Sequence, residues 1–370
     1  MSLGKQRLAV LTQGRTNAVS AKTAVSLLRY RPGEVVALID TETAGQTAQE
    51  ALGFGGDVPI VCSLADCGDL DALVIGVAPA GGKLPQEMRH AVLEAAHHGL
   101  MLISGLHTFL QDDPEIAAIA REHDATIFDI RKNDEREVAD RLGLDDRCLR
   151  IHTVGQDCSI GKMMTSVELA MGLQRAGQDA KFVATGQTGI LVAPGVNRGL
   201  AMTAEEIEDP TNGGAPIDCV VADFINGAAE RLVKRNQHHD IIVLEGQATL
   251  AHPSYSSVTY GLLHGALPDG LVMCYEPGRP HMVGRPHMPL TDLKQLLKFY
   301  EHASNLEHPC KFIGVAMNSR QLGGDEAKIE AERNRVQDEL GLPACDVIVH
   351  GPDTLVDATL KLKAELGKGH

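Results

Sequence analysis

The stretch that most restricts the fold is Gly155-Gln156-Asp157-Cys158-Ser159-Ile160-Gly161-Lys162. It follows an apolar, strand-like run at 149–154 and opens a helical pattern at 161–175, so the chain runs strand, tight loop, helix. In that order the loop's successive backbone N–H groups and the N-terminus of the helix converge, and Lys162 adds a fixed positive charge. The glycines permit the tight turn and a close approach of backbone to ligand. Gly155, Asp157, Cys158, Ser159, Ile160, Gly161, Lys162, Met163 and Thr165 therefore form a candidate phosphate cradle. Two positions depart from the common motif. Gln156 stands where the first glycine is usual, and Met163 where a Ser or Thr hydroxyl would reach magnesium, which leaves Thr165 to help hold the metal if one is used.

Such a loop belongs to a parallel sheet covered by helices, and the hydrophobic pattern repeats that design along the chain. Strand-like runs at 7–12, 34–39, 72–77, 101–104 and 126–129 are separated by helical stretches, clearest at 85–96 and 114–122. After 147 the strands read 149–154, 181–185, 218–222, 240–244, 271–274, 312–317 and 346–349; the helices read 161–175, 227–235, 292–302, 325–339 and 354–366. The charged, turn-rich segment 131–147 between the two series reads as a connection. At 370 residues the chain is long for one core. Two α/β domains are expected, 1–140 and 141–370, the second a doubly wound parallel sheet.

Charge and composition exclude several partners. A formal charge of −15 with no basic stripe argues against a nucleic-acid backbone, so an anionic ligand must meet a local positive site. No run approaches the roughly 18 to 20 apolar residues of a membrane-spanning helix. The start of the chain lacks a signal-peptide pattern, and a cytoplasmic location is expected. Of eight cysteines, Cys62 and Cys67 are close, but no second pair or neighbouring histidines complete a zinc site. Buried free thiols are the simpler reading.

Two carboxylates follow expected strands, Asp223 after 218–222 and Glu245 after 240–244, where open α/β sheets place their ligand crevice. Either suits a general base or a holder of a metal or ammonium group. For Asp223 the plain alternative is a helix N-cap; for Glu245, a carboxylate ending a buried strand is costly unless paired or ligated. Gln187, in the glycine-rich stretch Thr185-Gly186-Gln187-Thr188-Gly189, can line the same crevice. Arg279, His281, Arg285 and His287 lie in a short internal repeat, Gly278-Arg279-Pro280-His281-Met282 and Gly284-Arg285-Pro286-His287-Met288, whose prolines predict a loop. A guanidinium fork there suits a carboxylate or a phosphate. Cys158 reads as packing more readily than as a thiolate nucleophile. In the first domain, Asp40 ends the second strand where related folds read a ribose, but Gly14-Arg15-Thr16-Asn17 replaces the glycine-rich dinucleotide turn, so NAD is not expected. The segment 76–85 follows a strand and suits contact with a second ligand.

The spacing Gly155-x-Asp157-x-x-x-Gly161-Lys162, the strand end Glu245-Gly246 and Asn318 after 314–317 resemble, in order, the landmarks of dethiobiotin-synthetase-like nucleotide-binding proteins. A closer resemblance spans nearly the whole chain. Gly155-Gln156-Asp157-Cys158 with Gly161-Lys162, Ala184-Thr185-Gly186-Gln187-Thr188-Gly189, Ala222-Asp223-Phe224 with Gly227 and Glu230, Glu245-Gly246-Gln247 and Pro277-Gly278-Arg279 are similar to a D-glutamate N-acetyltransferase-like family. Ala21-Lys22-Thr23-Ala24, Leu27-Leu28-Arg29-Tyr30 and 76–85 fit its N-terminal pattern. The resemblance implies a Rossmann-like N-terminal domain before the P-loop domain, and acetyl-CoA as acetyl donor to D-glutamate or a similar acidic amino acid. Arg279, His281, Arg285 and Gln187 then become candidates for the acceptor or CoA, and Asn318 for a nucleotide base. An ATP- and magnesium-dependent ligase or kinase using Lys162, Glu245 and Asn318, and a nucleotide sensor without turnover, are the competing readings. Enzymes of this architecture commonly pair symmetrically, so a homo-oligomer is expected.

Overall fold

The computed structural model describes residues 6–17, 20–77, 79 and 81–369, and the chain divides into two compact units. The first runs to Asn133 and also takes Ile190–Arg198 and Thr203–Asn212; the second takes Asp134–Gly189, Gly199–Met202 and the chain from Gly213 onward. Ala78 and Ala80 of the 76–85 segment lie outside the described residues.

The first unit is Rossmann-like. Its parallel strands are β1 Leu8–Leu11, β2 Val35–Ile39, β3 Ile60–Val61, β4 Ala72–Ile75, β5 Met101–Ser104 and β6 Ile127–Asp129, in the order β3-β2-β1-β4-β5-β6. β1 and β4 are buried along their whole length, as expected for strands covered on both faces. Asp40, after β2, accepts from Gly14 N and Glu42 N, each at 3.0 Å, and from the Thr16 hydroxyl. That carboxylate ties down the turn after β1. The late segment 190–198 joins this unit through a buried network: Arg31 donates to Glu34 at 3.0 Å and to the Leu191 carbonyl at 3.2 Å, and Arg198 pairs with the same glutamate.

The second unit is a P-loop domain with parallel strands β7 Leu149–Gly155, β8 Ala180–Val183, β9 Ile241–Leu244, β10 Gly270–Tyr275, β13 Lys311–Met317 and β14 Ala344–Cys345, ordered β14-β13-β10-β7-β9-β8. From β7 the chain goes first to β8 and β9 on one side, then to β10 and beyond on the other. The strand order reverses between β7 and β10, which is where such sheets open a ligand crevice. β11 His281–Met282 and β12 Arg285–Pro289 form a separate antiparallel pair.

Three expected elements differ. The run 218–222 is not a strand but two 3-10 turns, Ile217–Cys219 and Ala222–Phe224; Ile217, and Val220 between the turns, pack in one cluster with residues of the helix Ile225–Asn236. The run 346–349 turns because Asp346 accepts from Ile348 N and Val349 N at 2.9 and 3.2 Å; the last strand precedes it. The histidine-proline repeat, expected as a loop, is a hairpin. Its two copies face each other across Val283-Gly284, with Gly284 left-handed (φ 72°) and Met282 opposite Arg285. Proline tolerates this ribbon because each strand has a free edge.

Candidate active site at the carboxyl edge of the second sheet

β7 ends at Gly155, and the helix Lys162–Arg175 starts six residues after Gln156 with Gly161 as its left-handed cap (φ 103°). Ser159 is also left-handed (φ 54°); such residues build the anion-binding nests of phosphate loops. Lys162 folds back over the loop, buried, and its Nζ donates to the Asp157 carbonyl at 2.6 Å. Gly155 makes room for it, because a Cβ there would lie 2.6 Å from Ile160 Cδ1 and 3.0 Å from Lys162 Cδ. Burial pulls the lysine pKa below its ordinary value.

The loop is clamped from the β10 side. Arg279 donates through Nη1 to Asp157 Oδ2 and to the Cys158 carbonyl, both at 2.8 Å, and through Nη2 to the Ser159 carbonyl at 3.2 Å; it also pairs with Glu276. The hairpin adds Val283 N to Asp157 Oδ2 at 2.8 Å. Arg279, expected on a substrate, is therefore placed as the brace of the phosphate loop, because two buried carboxylates and two loop carbonyls surround its fork. Asp157 is fully buried, and its Oδ1 has no partner among the described residues. Cys158 is not an activated thiolate: burial pushes its pKa up against the cations nearby.

Across the crevice, Glu245 ends β9, buried, with Oε2 accepting from Thr185 N at 2.9 Å and Gly186 N at 3.2 Å. Burial raises its pKa to about 7, more than those N–H donors and Lys162 lower it. Gly189 sits so close to this carboxylate that a Cβ would overlap Oε2, and a Cβ at Gly246 would overlap the Thr153 carbonyl. The glycines of these two motifs are thus steric requirements of the site. Gln187, expected to line the crevice from a glycine-rich stretch, begins the helix Gln187–Val196. Asn318 follows β13 and lies beside the loop; a Cβ on Gly161 would be 3.6 Å from its Nδ2.

Other candidates are placed elsewhere. Asp223 is exposed in a 3-10 turn, not at a strand end, and makes no cap bond to the helix after it. Thr165 is buried in the helix that follows the loop. With Met163 at the usual hydroxyl position, the donor set does not fit magnesium held as in common P-loops. His281 and His287 are exposed on the hairpin, whereas Arg285 is partly buried and donates to the exposed Ser254 Oγ at 2.7 Å.

Tyr300 and His252 were not singled out from the sequence. Tyr300 is wholly buried and bonds the Gly155 carbonyl and Leu250 N, both at 3.1 Å, which ties the loop entry to the segment after β9. In sequence it is one more apolar-face residue of the helix Leu293–Ser304.

Known proteins share this arrangement. Residues 137–356 match the model of a P-loop domain of unknown function, DUF1611_C, and residues 41–133 its partner Rossmann-like domain, DUF1611_N. The chain is 36% identical over 342 residues to a D-glutamate N-acetyltransferase of Tritonibacter scottomollicae, covering 92% of this chain and 94% of that one. It is 31% identical over 344 residues to a protein of the same name from a Pseudoalteromonas species, covering 92% and 95%. The crystal structure of a DUF1611 family protein from Anabaena variabilis superposes with a TM-score of 0.85 at 34% identity, covering 96% of this chain and 99% of that one. The chain belongs to the DUF1611 family, the D-glutamate N-acetyltransferase-like proteins that join a Rossmann-like domain to a P-loop domain.

Proposed function

We propose that the protein transfers an acetyl group from acetyl-CoA to the amino group of D-glutamate or a similar acidic amino acid. The observation that carries this reading is Glu245, a buried carboxylate poised near neutrality at the same sheet edge as the phosphate loop. A base that deprotonates an ammonium group at neutral pH needs that poise. The acceptor and the acetyl group follow from the name the two relatives carry, D-glutamate N-acetyltransferase.

The reaction needs little more from the chain. Glu245 takes a proton from the ammonium group, and the free amine nitrogen attacks the thioester carbonyl carbon. The N–C bond forms, the C–S bond breaks, and the second proton that the nitrogen loses in becoming an amide goes to the departing CoA thiolate. The loop Gly155–Lys162 holds CoA phosphate oxygens, with Lys162 supplying charge and Arg279 keeping the loop shape.

The test is continuous thiol release from acetyl-CoA without ATP, with D-glutamate, L-glutamate, D-aspartate and no amine. Release that depends on D-glutamate establishes the reading; none with any acidic amine overturns it. Asn318 beside Gly161 is what an adenine reader would require, so ADP release on adding ATP and magnesium would replace it with the ligase reading.

A further inference from the structure

His252 has no role in the chemistry above, yet it is nearly inaccessible and held in one orientation. It stacks on Tyr255 with ring centroids 4.6 Å apart and 16° between planes, and its Nδ1 accepts from Ser254 N at 3.1 Å. A ring nitrogen that accepts a backbone N–H carries no proton, so the single proton of the neutral imidazole sits on Nε2. Burial and the adjacent Arg285 hold the ring's pKa below the ordinary histidine value, which favours that neutral form.

Nε2 faces Nη1 of Arg285 at 3.4 Å, while Nη2 of the same guanidinium is fixed on Ser254 Oγ. Two N–H donors are therefore directed at each other, and neither can satisfy the other. Each lacks an acceptor, which is costly for the buried His252 N–H and leaves the half-exposed Arg285 N–H open to a ligand. A carboxylate oxygen of Asp157, the Cys158 sulfur and a ring nitrogen of His252 lie within 4.8 Å of one another, so the donor pair borders the phosphate loop. Those three side chains have the elements of a metal set, but a metal needs a bare Nε2 and would sit beside Arg285 and Arg279. The tautomer and the local charge both call for an oxygen acceptor instead.

We propose that His252 Nε2–H and Arg285 Nη1–H form a subsite for one carboxylate oxygen of the acidic amino-acid acceptor. This rests on the acetyl-transfer reading. One cation and one neutral donor match a singly charged carboxylate, whereas a phosphate dianion would meet stronger repulsion from the nearby Asp157. The guanidinium lies on the half-exposed hairpin beside Nε2, and two donors 3.4 Å apart let one oxygen sit at hydrogen-bond distance from both. CoA phosphate, the other oxygen anion present in the reaction, keeps to Lys162 and the loop amides.

The experiment is calorimetric titration of the full-length chain with D-glutamate and, separately, with acetyl-CoA. His252→Asn keeps an acceptor for Ser254 N but has no donor at the Nε2 position; His252→Gln places an amide N–H there. The expected result is a loss of about tenfold or more in D-glutamate affinity for the Asn variant, the scale of one hydrogen bond to a charged group, with acetyl-CoA affinity within about twofold and most of the loss restored by Gln. Equal losses for both ligands, or a loss for acetyl-CoA alone, overturns the subsite. Nitrogen NMR of the wild-type imidazole decides without any variant: a proton on Nδ1 overturns it. If D-glutamate binding follows His252 as stated but thiol release never depends on it, the transferase reading fails and the carboxylate subsite stands; if release occurs and binding ignores His252, the reverse holds.

Discussion

At the scale of single residues, Glu245 links chemistry to stability. Its folded pKa of about 7 lies above the ordinary 4.5, so the native state holds the proton more tightly than the unfolded chain does. That contribution is fully present below the ordinary carboxylate value, and it falls away as pH rises through the folded value. Between those limits it amounts to roughly 3 kcal/mol. Glu245→Gln carries no charge to desolvate and its carbonyl can still accept from Thr185 and Gly186. The variant should be more stable than wild type near pH 8 by urea denaturation, with the gap opening from about pH 5 to about pH 7. Its thiol release should fall by roughly 100-fold or more, and the wild-type rise in kcat/KM through about pH 7 should disappear. A variant less stable at high pH would mean that a cation holds the native carboxylate. Arg279 makes a second case. Lysine cannot bridge Asp157, Cys158 O and Ser159 O together, so Arg279→Lys should weaken acetyl-CoA binding by about tenfold and D-glutamate binding less; the opposite split would return Arg279 to the acceptor. Lys162→Ala, measured in the same titrations, should likewise lower acetyl-CoA affinity by about tenfold or more.

At the scale of elements, the helix Ser256–Ala266 is held against Ile225–Asn236 through two glycines four residues apart. A Cβ on Gly261 would lie 2.8 Å from Ile225 Cβ, and one on Gly265 would lie 2.6 Å from Ala229 Cβ. Gly265→Ala should therefore destabilise the protein by about 1 to 3 kcal/mol through overpacking, although alanine is the better helix former by about 1 kcal/mol. A stabilised variant in thermal denaturation would show that the two helices are free to move apart. This helix was not among the elements expected from the sequence, and its two glycines weaken the local helical preference that would have marked it. Elements whose residues carry both the local preference and the packing face were legible, as at Pro114–Glu122, which Asp113 caps and Pro114 begins. The phosphate loop and Glu245 could be read because their backbone requirements leave glycines in the sequence. Tyr300 and His252 could not, since their neighbours come from distant parts of the chain. Nor could the brace role of Arg279, which depends on β10 lying next to β7.

For the whole molecule, the consequential fact is that the first compact unit is discontinuous in sequence. Ile190, Leu191, Val192, Ala193 and Val196 are all buried, in a segment that belongs with the N-terminal sheet although it follows the phosphate loop. There Gly195 meets the Tyr30 carbonyl with no space for a Cβ, and Arg31 and Glu34 are both wholly buried as a pair. A chain truncated to residues 134–370 would keep the phosphate loop but lose these partners. It would expose the apolar run together with the backbone groups that the first unit satisfies, a combination that favours aggregation or local unfolding. Limited proteolysis should therefore cut the truncated chain within 190–212 far faster than the full-length protein, and addition of a separate chain of residues 1–133 should restore protection. If the truncated chain resists the protease as well as the full-length protein does, the segment has partners enough in its own half, and the two family domains fold as independent bodies. If it is cut and the added chain rescues it, the Rossmann-like unit is completed only by residues that come after the phosphate loop, so the active-site half of the sequence takes part in folding the other.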